Sequence, residues 1–175
     1  MKNEVSVVLI SGCSTGIGRA LAREFARRNW QVFATARRPE TLRDLKAPNV
    51  DIAALDVIDA RSIRRCVDEV IAKAGRIDML INNAGLLLIG PLVELQASEL
   101  RLQFETNVIG LAALTNAVVP WMIKQKSGKI VNISSISGVL PTPFAGAYCS
   151  TKAALTAFSD SLRMELAPFG IQVIT

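Results

Sequence analysis

The chain has 175 residues, of which half are hydrophobic and 20% charged, a globular composition with no disordered or collagen-like bias; it predicts one domain, residues 1–175, large enough to bury a core without staples. Its three cysteines, Cys13, Cys66 and Cys149, are an odd number and far apart, which signals neither a disulfide framework nor a zinc cluster and fits a reducing cytoplasm. The net charge of +5 comes from scattered Lys and Arg without interleaved aromatics or a DNA-reading motif, so nucleic acid is not an expected partner.

Val5–Ser11 reads as a strand, too short for the apolar region of a signal peptide. It feeds Gly12-Cys13-Ser14-Thr15-Gly16-Ile17-Gly18, which opens a helix over Ile17–Arg28. Glycines let the backbone turn tightly and approach a pyrophosphate, and the free N–H groups at the helix start attract the anion. Gly12, Ser14, Thr15, Gly16, Ile17 and Gly18 are therefore cofactor-binding candidates. A ligand-free βα turn would show the same glycines, but a strand before and a helix after is the context a dinucleotide site requires. The Lys-Ser/Thr pair of a Walker A loop is missing.

A second strand, Gln31–Ala36, ends at Arg37 and Arg38, where an acidic residue would bind the ribose hydroxyl of NAD. No carboxylate stands there to repel a 2′-phosphate. Either guanidinium can bind one through charge-assisted hydrogen bonds of roughly 1.5–3 kcal/mol, so NADP(H) is the expected cofactor; a solvated arginine pair is the plainer alternative. A short helix over Thr41–Lys46 and a strand over Asp51–Leu55 follow. Asp56, with Val57 beside it, can accept from an adenine amino group or cap the next turn.

A helix spans Ala60–Ala74 and a strand Asp78–Asn82. Asn83, Ala84 and Gly85 then bend the chain close beneath a cofactor, in a form that a purely structural turn would share. The long helix Ser98–Lys124 carries Asn107, which propensity disfavours there, so it either faces solvent or holds a backbone carbonyl and a water. A strand over Lys129–Ser134, a helix over Ala147–Leu166 and a last strand over Gln172–Thr175 complete the order. Asn82, Asn83, Asn116 and Pro120 interrupt the longest apolar stretches short of the roughly 18 residues of a bilayer crossing, and a soluble, cytoplasmic protein is expected.

Strands alternating with helices make this an α/β chain, a doubly wound parallel sheet of the Rossmann-like kind. Ligands of such sheets sit beyond the carboxyl ends of the strands, where strand order reverses. Tyr148 and Lys152 fall at that edge, four residues apart on one helix face. A nearby ammonium and an oxidised nicotinamide would stabilise the phenolate, fitting Tyr148 to exchange a proton with a carbonyl or alcohol oxygen as hydride moves. With no histidine in the chain, Ser-His-Asp hydrolysis and imidazole-built zinc sites are excluded.

The Gly12/Gly16/Gly18 turn, Asn82-Asn83-Ala84-Gly85, Asn107, and Ser135 with Tyr148-x-x-x-Lys152 together resemble the short-chain dehydrogenase/reductase pattern, from the first strand to the last residue. Within that family, Phe33–Glu40 and Thr142–Cys149 resemble the NADPH-dependent 1-acyldihydroxyacetone-phosphate reductase group and relatives near the 17β-hydroxysteroid dehydrogenases. The resemblance implies that Ser135, thirteen positions before Tyr148, hydrogen-bonds the substrate oxygen, with Ser134 the alternative. It also implies that Lys152 contacts the nicotinamide ribose, that Asn107 completes a proton relay through Lys152, and that the protein is a homodimer or homotetramer.

Family members continue past the sixth strand, so the resemblance further implies an incomplete chain lacking the last strand and substrate lid, with cofactor affinity better kept than turnover. Two functional readings follow. One is an NADP(H)-dependent oxidoreductase acting on a carbonyl or alcohol, of lipid-like type such as a 1-acyldihydroxyacetone phosphate, a steroid or a retinoid, because Leu86–Ile89, Val139 and Leu140 can line an apolar site as readily as a core. The other is a noncatalytic NADP(H)-binding or assembly module.

Overall fold

A computed structural model describes residues 5–175. Six strands, β1 (Val7–Ile10), β2 (Gln31–Ala36), β3 (Val50–Ala54), β4 (Met79–Asn82), β5 (Gly128–Asn132) and β6 (Ile171–Ile174), form one parallel sheet in the order β3-β2-β1-β4-β5-β6. The chain runs outward from β1 to β3, returns to the far side of β1, and runs outward again to β6. Strand order therefore reverses between β1 and β4, which are paired from Val8↔Met79 to Ile10↔Ile81.

Alternation along β1 shows why the sheet is covered on both faces. Val7 and Leu9 join a core with Phe33, Leu80 and Ile130, packed under helices α2 (Ala60–Ala74), α4 (Gly110–Gln125) and α5 (Gly146–Leu166). Val8 and Ile10 face the other way, onto Ala22 of helix α1 (Gly16–Arg27) together with Val32, Leu42 and Ile81. A strand buried on both faces reads as an unbroken apolar run rather than an alternating one, as Val7-Val8-Leu9-Ile10 does.

Two predicted helices take a different form. The segment expected as Thr41–Lys46 is a run of 3-10 turns over Pro39–Leu45, where proline fixes the start and Leu42 and Leu45 are the buried contacts. The long helix is not uniform: α3 (Ala97–Phe104) passes through a π turn at Glu105–Ile109 before α4 begins. At the end of that turn Gly110 lies so close to the segment after β3 that an added Cβ would stand 2.6 Å from the Val57 carbonyl oxygen. Asn116 and Pro120 do not break the run. Ala97–Gln125 is continuous and contains a window of mean hydropathy 1.4, long and apolar enough by length and composition to cross a membrane, which corrects the expectation that no stretch reaches that length. In this fold Leu114, Val118 and Met122 of that run are buried against the sheet, and Leu111 is buried as well.

Candidate active site

The reversal between β1 and β4 opens a cleft of about 770 Å³ beyond the carboxyl ends of the strands, within the usual size of a cofactor site. Its floor is the turn from β1 into α1, where three glycines meet three different demands. Gly12 has φ +72°, and an added Cβ would lie 2.7 Å from the Ala84 Cα. Gly16, at φ +58°, has nothing within 4 Å of where a Cβ would point, so it presents open backbone to the cleft. Gly18 is buried, and a Cβ there would strike Asn83 Nδ2 at 2.4 Å and the Gly12 carbonyl oxygen at 2.5 Å. A tight turn, an open approach and a close helix–strand contact are the three roles of glycine in a dinucleotide-binding turn. The first turn of α1 holds no acidic residue, so its N–H groups and dipole are free to meet an anion.

Asn83 does more than bend the chain. Its Nδ2 donates to the carbonyls of Ser11 (3.0 Å) and Gly12 (2.8 Å), while Asn83 N–H and Ala84 N–H both donate to Ser11 Oγ at 3.0 Å. The post-β4 segment is thereby bolted to the glycine turn. Ser14, Thr15, Ile17, Val57 and Gly85 also line the cleft. Arg37 lines it too, whereas Arg38 does not and instead accepts from Thr41 N–H and Oγ1 through its carbonyl. Asp56 lines the cleft and caps its own turn, accepting from Ile58 N–H at 3.2 Å.

Tyr148 and Lys152, from the first two turns of α5, line the same cleft. Lys152 is buried, donates from Nζ to the Ile133 carbonyl at 2.7 Å and lies 5.6 Å from the centroid of the Tyr148 ring. Burial holds its ammonium below the ordinary lysine pKa, because a low-dielectric surrounding disfavours the charge. Ser135 begins a 3-10 turn, its Oγ accepting from Ser137 N–H at 3.1 Å; Ser134 lines the cleft itself. That turn rests on α5, since a Cβ on Gly138 would lie 3.0 Å from the Lys152 carbonyl. Asn107, on the π turn, is buried rather than facing solvent. Its Oδ1 accepts from Leu86 N–H (2.7 Å) and its Nδ2 donates to the Leu86 carbonyl (2.8 Å) and to Thr151 Oγ1 (3.0 Å).

Residues 6–175 match the short chain dehydrogenase family. The chain belongs to that family. It is 40% identical over 168 residues to an NADPH-dependent 1-acyldihydroxyacetone phosphate reductase of Schizosaccharomyces pombe, covering 95% of this chain and 56% of that one. To a 3-ketodihydrosphingosine reductase of Bacteroides thetaiotaomicron it is 36% identical over 167 residues, covering 95% and 61%. A crystal structure of a short-chain dehydrogenase from Streptomyces avermitilis superposes with a TM-score of 0.95 at 42% identity, over 98% of this chain and 64% of that one. The chain thus spans about three-fifths of the length of the curated relatives it matches.

Membership in the short-chain dehydrogenases does not by itself reveal what braces the site, and three such residues went unread in the sequence. Ser11 is a buried hydroxyl serving two N–H groups. Arg19 donates to the carbonyls of Ser14 (3.0 Å) and Thr41 (3.2 Å) and pairs with Asp44, tying the glycine turn to the segment after β2. Thr151 meets Asn107. The first and last were visible as polar residues at positions that strand and helix periodicity assigns to the interior, which is the signal that could have found them.

Proposed function

We propose that this chain is the cofactor-binding and catalytic part of an NADP(H)-dependent oxidoreductase acting on a carbonyl or alcohol group. The observation that carries the reading is that the glycine turn and the Tyr148–Lys152 pair line one and the same cleft at the point where strand order reverses. The glycine turn, with its open approach at Gly16 and the free N–H end of α1, suits the pyrophosphate; Tyr148, Lys152 and Gly85 suit the nicotinamide riboside end; Asp56 and Val57 suit the adenine end. Arg37, exposed in the cleft and without an ion pair among the described residues, suits a 2′-phosphate, with its sequence neighbour Arg38, outside the cleft lining, as a second cation. When bound, the dinucleotide supplies or accepts the hydride.

The remaining chemistry belongs to the chain. Tyr148 gives its hydroxyl proton to the carbonyl oxygen in reduction and takes one from the alcohol in oxidation. Lys152, kept 5.6 Å from the ring by its bond to the Ile133 carbonyl, places a positive charge where phenolate develops. Ser135, or Ser134 on the cleft wall, orients the substrate oxygen. Asn107 holds the Leu86 backbone and the Thr151 hydroxyl, which fixes the cleft wall at Leu86.

Leu87, Ile89, Val139 and Leu140 are exposed rather than core, and Leu86 and Leu87 line the cleft. Together with the names of the two curated relatives, this supports a substrate with a large apolar body such as an acyl chain. A soluble cytoplasmic enzyme working as a homodimer or homotetramer is part of the same proposal. The test is NADPH consumption with a series of aldehydes and ketones of increasing chain length, measured beside Tyr148→Phe. The parent should oxidise NADPH, with kcat/KM rising along the series, and the phenylalanine variant should lose at least about a hundredfold. NADPH binding without consumption would leave a binding module instead.

A further inference from the structure

Two hydroxyls on α5 make the same set of bonds at different places. Thr151 and Ser159 are eight residues apart, about two helical turns, and both have 0% exposure. Each donates to a carbonyl of its own helix, Thr151 Oγ1 to Tyr148 at 2.7 Å and Ser159 Oγ to Leu155 at 2.7 Å. Each also accepts from a buried asparagine, Thr151 from Asn107 Nδ2 at 3.0 Å and Ser159 from Asn132 Nδ2 at 2.9 Å.

What lies beyond each asparagine differs. The Ser159 chain continues to Asn82 and Thr115, inside the core. The Thr151 chain ends in the cleft: Asn107 grips both backbone groups of Leu86, one residue past the Asn83–Gly85 bend, and the carbonyl that Thr151 holds is that of Tyr148 itself. A valine has nearly the shape of threonine but can neither accept from Asn107 nor donate to Tyr148, so the hydroxyl alone couples these groups.

We propose that Thr151 is a positioning residue for Tyr148. Its hydroxyl registers the first turns of α5 against the π turn and the segment after β4, and so sets where the phenol and Lys152 stand relative to the cleft. The π turn makes this register matter, because its wider turn puts Asn107 inward and leaves α3–α4 keyed to α5 at this level by a side-chain bond rather than by sheet pairing. The role rests on the proposed use of Tyr148, and Ser159 supplies a control of equal burial and equal bonding.

Tyr148 is the only tyrosine in the chain, so a ring label on tyrosine gives an NMR signal belonging to this residue alone, with or without turnover. In Thr151→Val that signal should move from its parent position and respond less to added NADP+, and kcat should fall by about tenfold or more while KM for NADPH stays within about twofold, as for a small misplacement of a reacting group. Thr151→Ser should restore both. Ser159→Ala should lower Tm yet leave the tyrosine signal and its NADP+ response in place. A parent-like signal and response in Thr151→Val, or an equal displacement in Ser159→Ala, would overturn the proposal; should the valine variant not fold, Thr151→Ala makes the same comparison. Failure of the functional reading looks different: Tyr148→Phe then consumes NADPH as fast as the parent, or the parent consumes none, while the tyrosine signal still reports whether Thr151 holds the residue in place.

Discussion

At the scale of single residues, Lys152 carries the clearest physical tension. It is 6% exposed, its Nζ is held by a neutral carbonyl rather than a carboxylate, and burial lowers its pKa below the ordinary 10.5. The unfolded chain therefore keeps this proton to higher pH than the native one. Between the native pKa and 10.5 the unfolded state binds more protons, so the contribution of Lys152 to stability rises with pH across that window. Below the window the lysine is charged in both states and its desolvation opposes folding in full. Thermal unfolding of Lys152→Met beside the parent should accordingly show the parent's Tm minus the variant's rising as pH climbs toward 10.5, and a difference that stays constant or falls would contradict the assignment. Gly18 offers a second residue-scale prediction. A methyl there meets the Gly12 carbonyl at 2.5 Å, so Gly18→Ala should displace the turn and weaken NADPH binding in a fluorescence titration by about tenfold or more, a cost of roughly 1.4 kcal/mol. An unchanged affinity would show that the turn absorbs the methyl elsewhere. Both residues were legible in the sequence, the glycine from its place between strand and helix and the lysine from its spacing to Tyr148. Ser11 and Thr151 show in the sequence only as polar residues at interior positions; the partners that give them a role, Asn83 and Asn107, lie 72 and 44 positions away along the chain.

At the scale of elements, apolar periodicity placed all six strands and the main helices, because alternation and helical spacing are local properties that burial then enforces. The π turn escaped it. One extra residue in a turn leaves the apolar pattern on either side nearly intact, and what accompanies it, the inward Asn107 and the close approach of Gly110 to the Val57 carbonyl, depends on residues distant in the chain. The same limit hid a buried polar ladder between elements. Asn82 and Asn132, paired in register across β4 and β5, are joined by Asn82 Nδ2 to Asn132 Oδ1 at 2.9 Å, and the ladder reaches α4 at Thr115 (3.0 Å) and α5 at Ser159 (2.9 Å). Apolar packing alone fixes how far these layers stand apart better than how they slide, whereas directed bonds select one register. Replacing Asn132 by Ala strands a donor on Asn82 and an acceptor on Ser159, at about 1–3 kcal/mol for buried groups left unpaired. A fall in Tm of several degrees is expected from calorimetry, at about 2–4 °C per kcal/mol for a domain of this size. A change within about 1 °C would mean that packing, not the ladder, holds the register.

At the scale of the whole molecule, the sheet is two parallel halves meeting at β1 and β4, and that junction is where the cleft lies. β1 and β4 are joined by three paired positions, while the carboxyl-end crossing is held by Ser11 and Asn83. A dinucleotide spanning the cleft from the glycine turn to Tyr148 would touch both halves at once, so its binding should stabilise the fold as a unit. A ligand at one hundred times its Kd adds about 2.7 kcal/mol, which corresponds to roughly 5–11 °C in Tm for a domain of this size. Cofactor preference can then be read without any turnover, by comparing Tm shifts with NADP+ and NAD+ at equal concentration. The parent should shift further with NADP+, since Arg37 stands in the cleft with its charge unpaired among the described residues and the 2′-phosphate is what distinguishes the two ligands. Arg37→Asp should repel that phosphate and reverse the order, whereas Arg38→Ala, outside the cleft, should shrink the difference less. Equal shifts with the two dinucleotides in the parent, or an Arg37→Asp variant that still favours NADP+, would reassign the arginine pair to a solvated strand end and leave the choice of cofactor to other residues of the cleft.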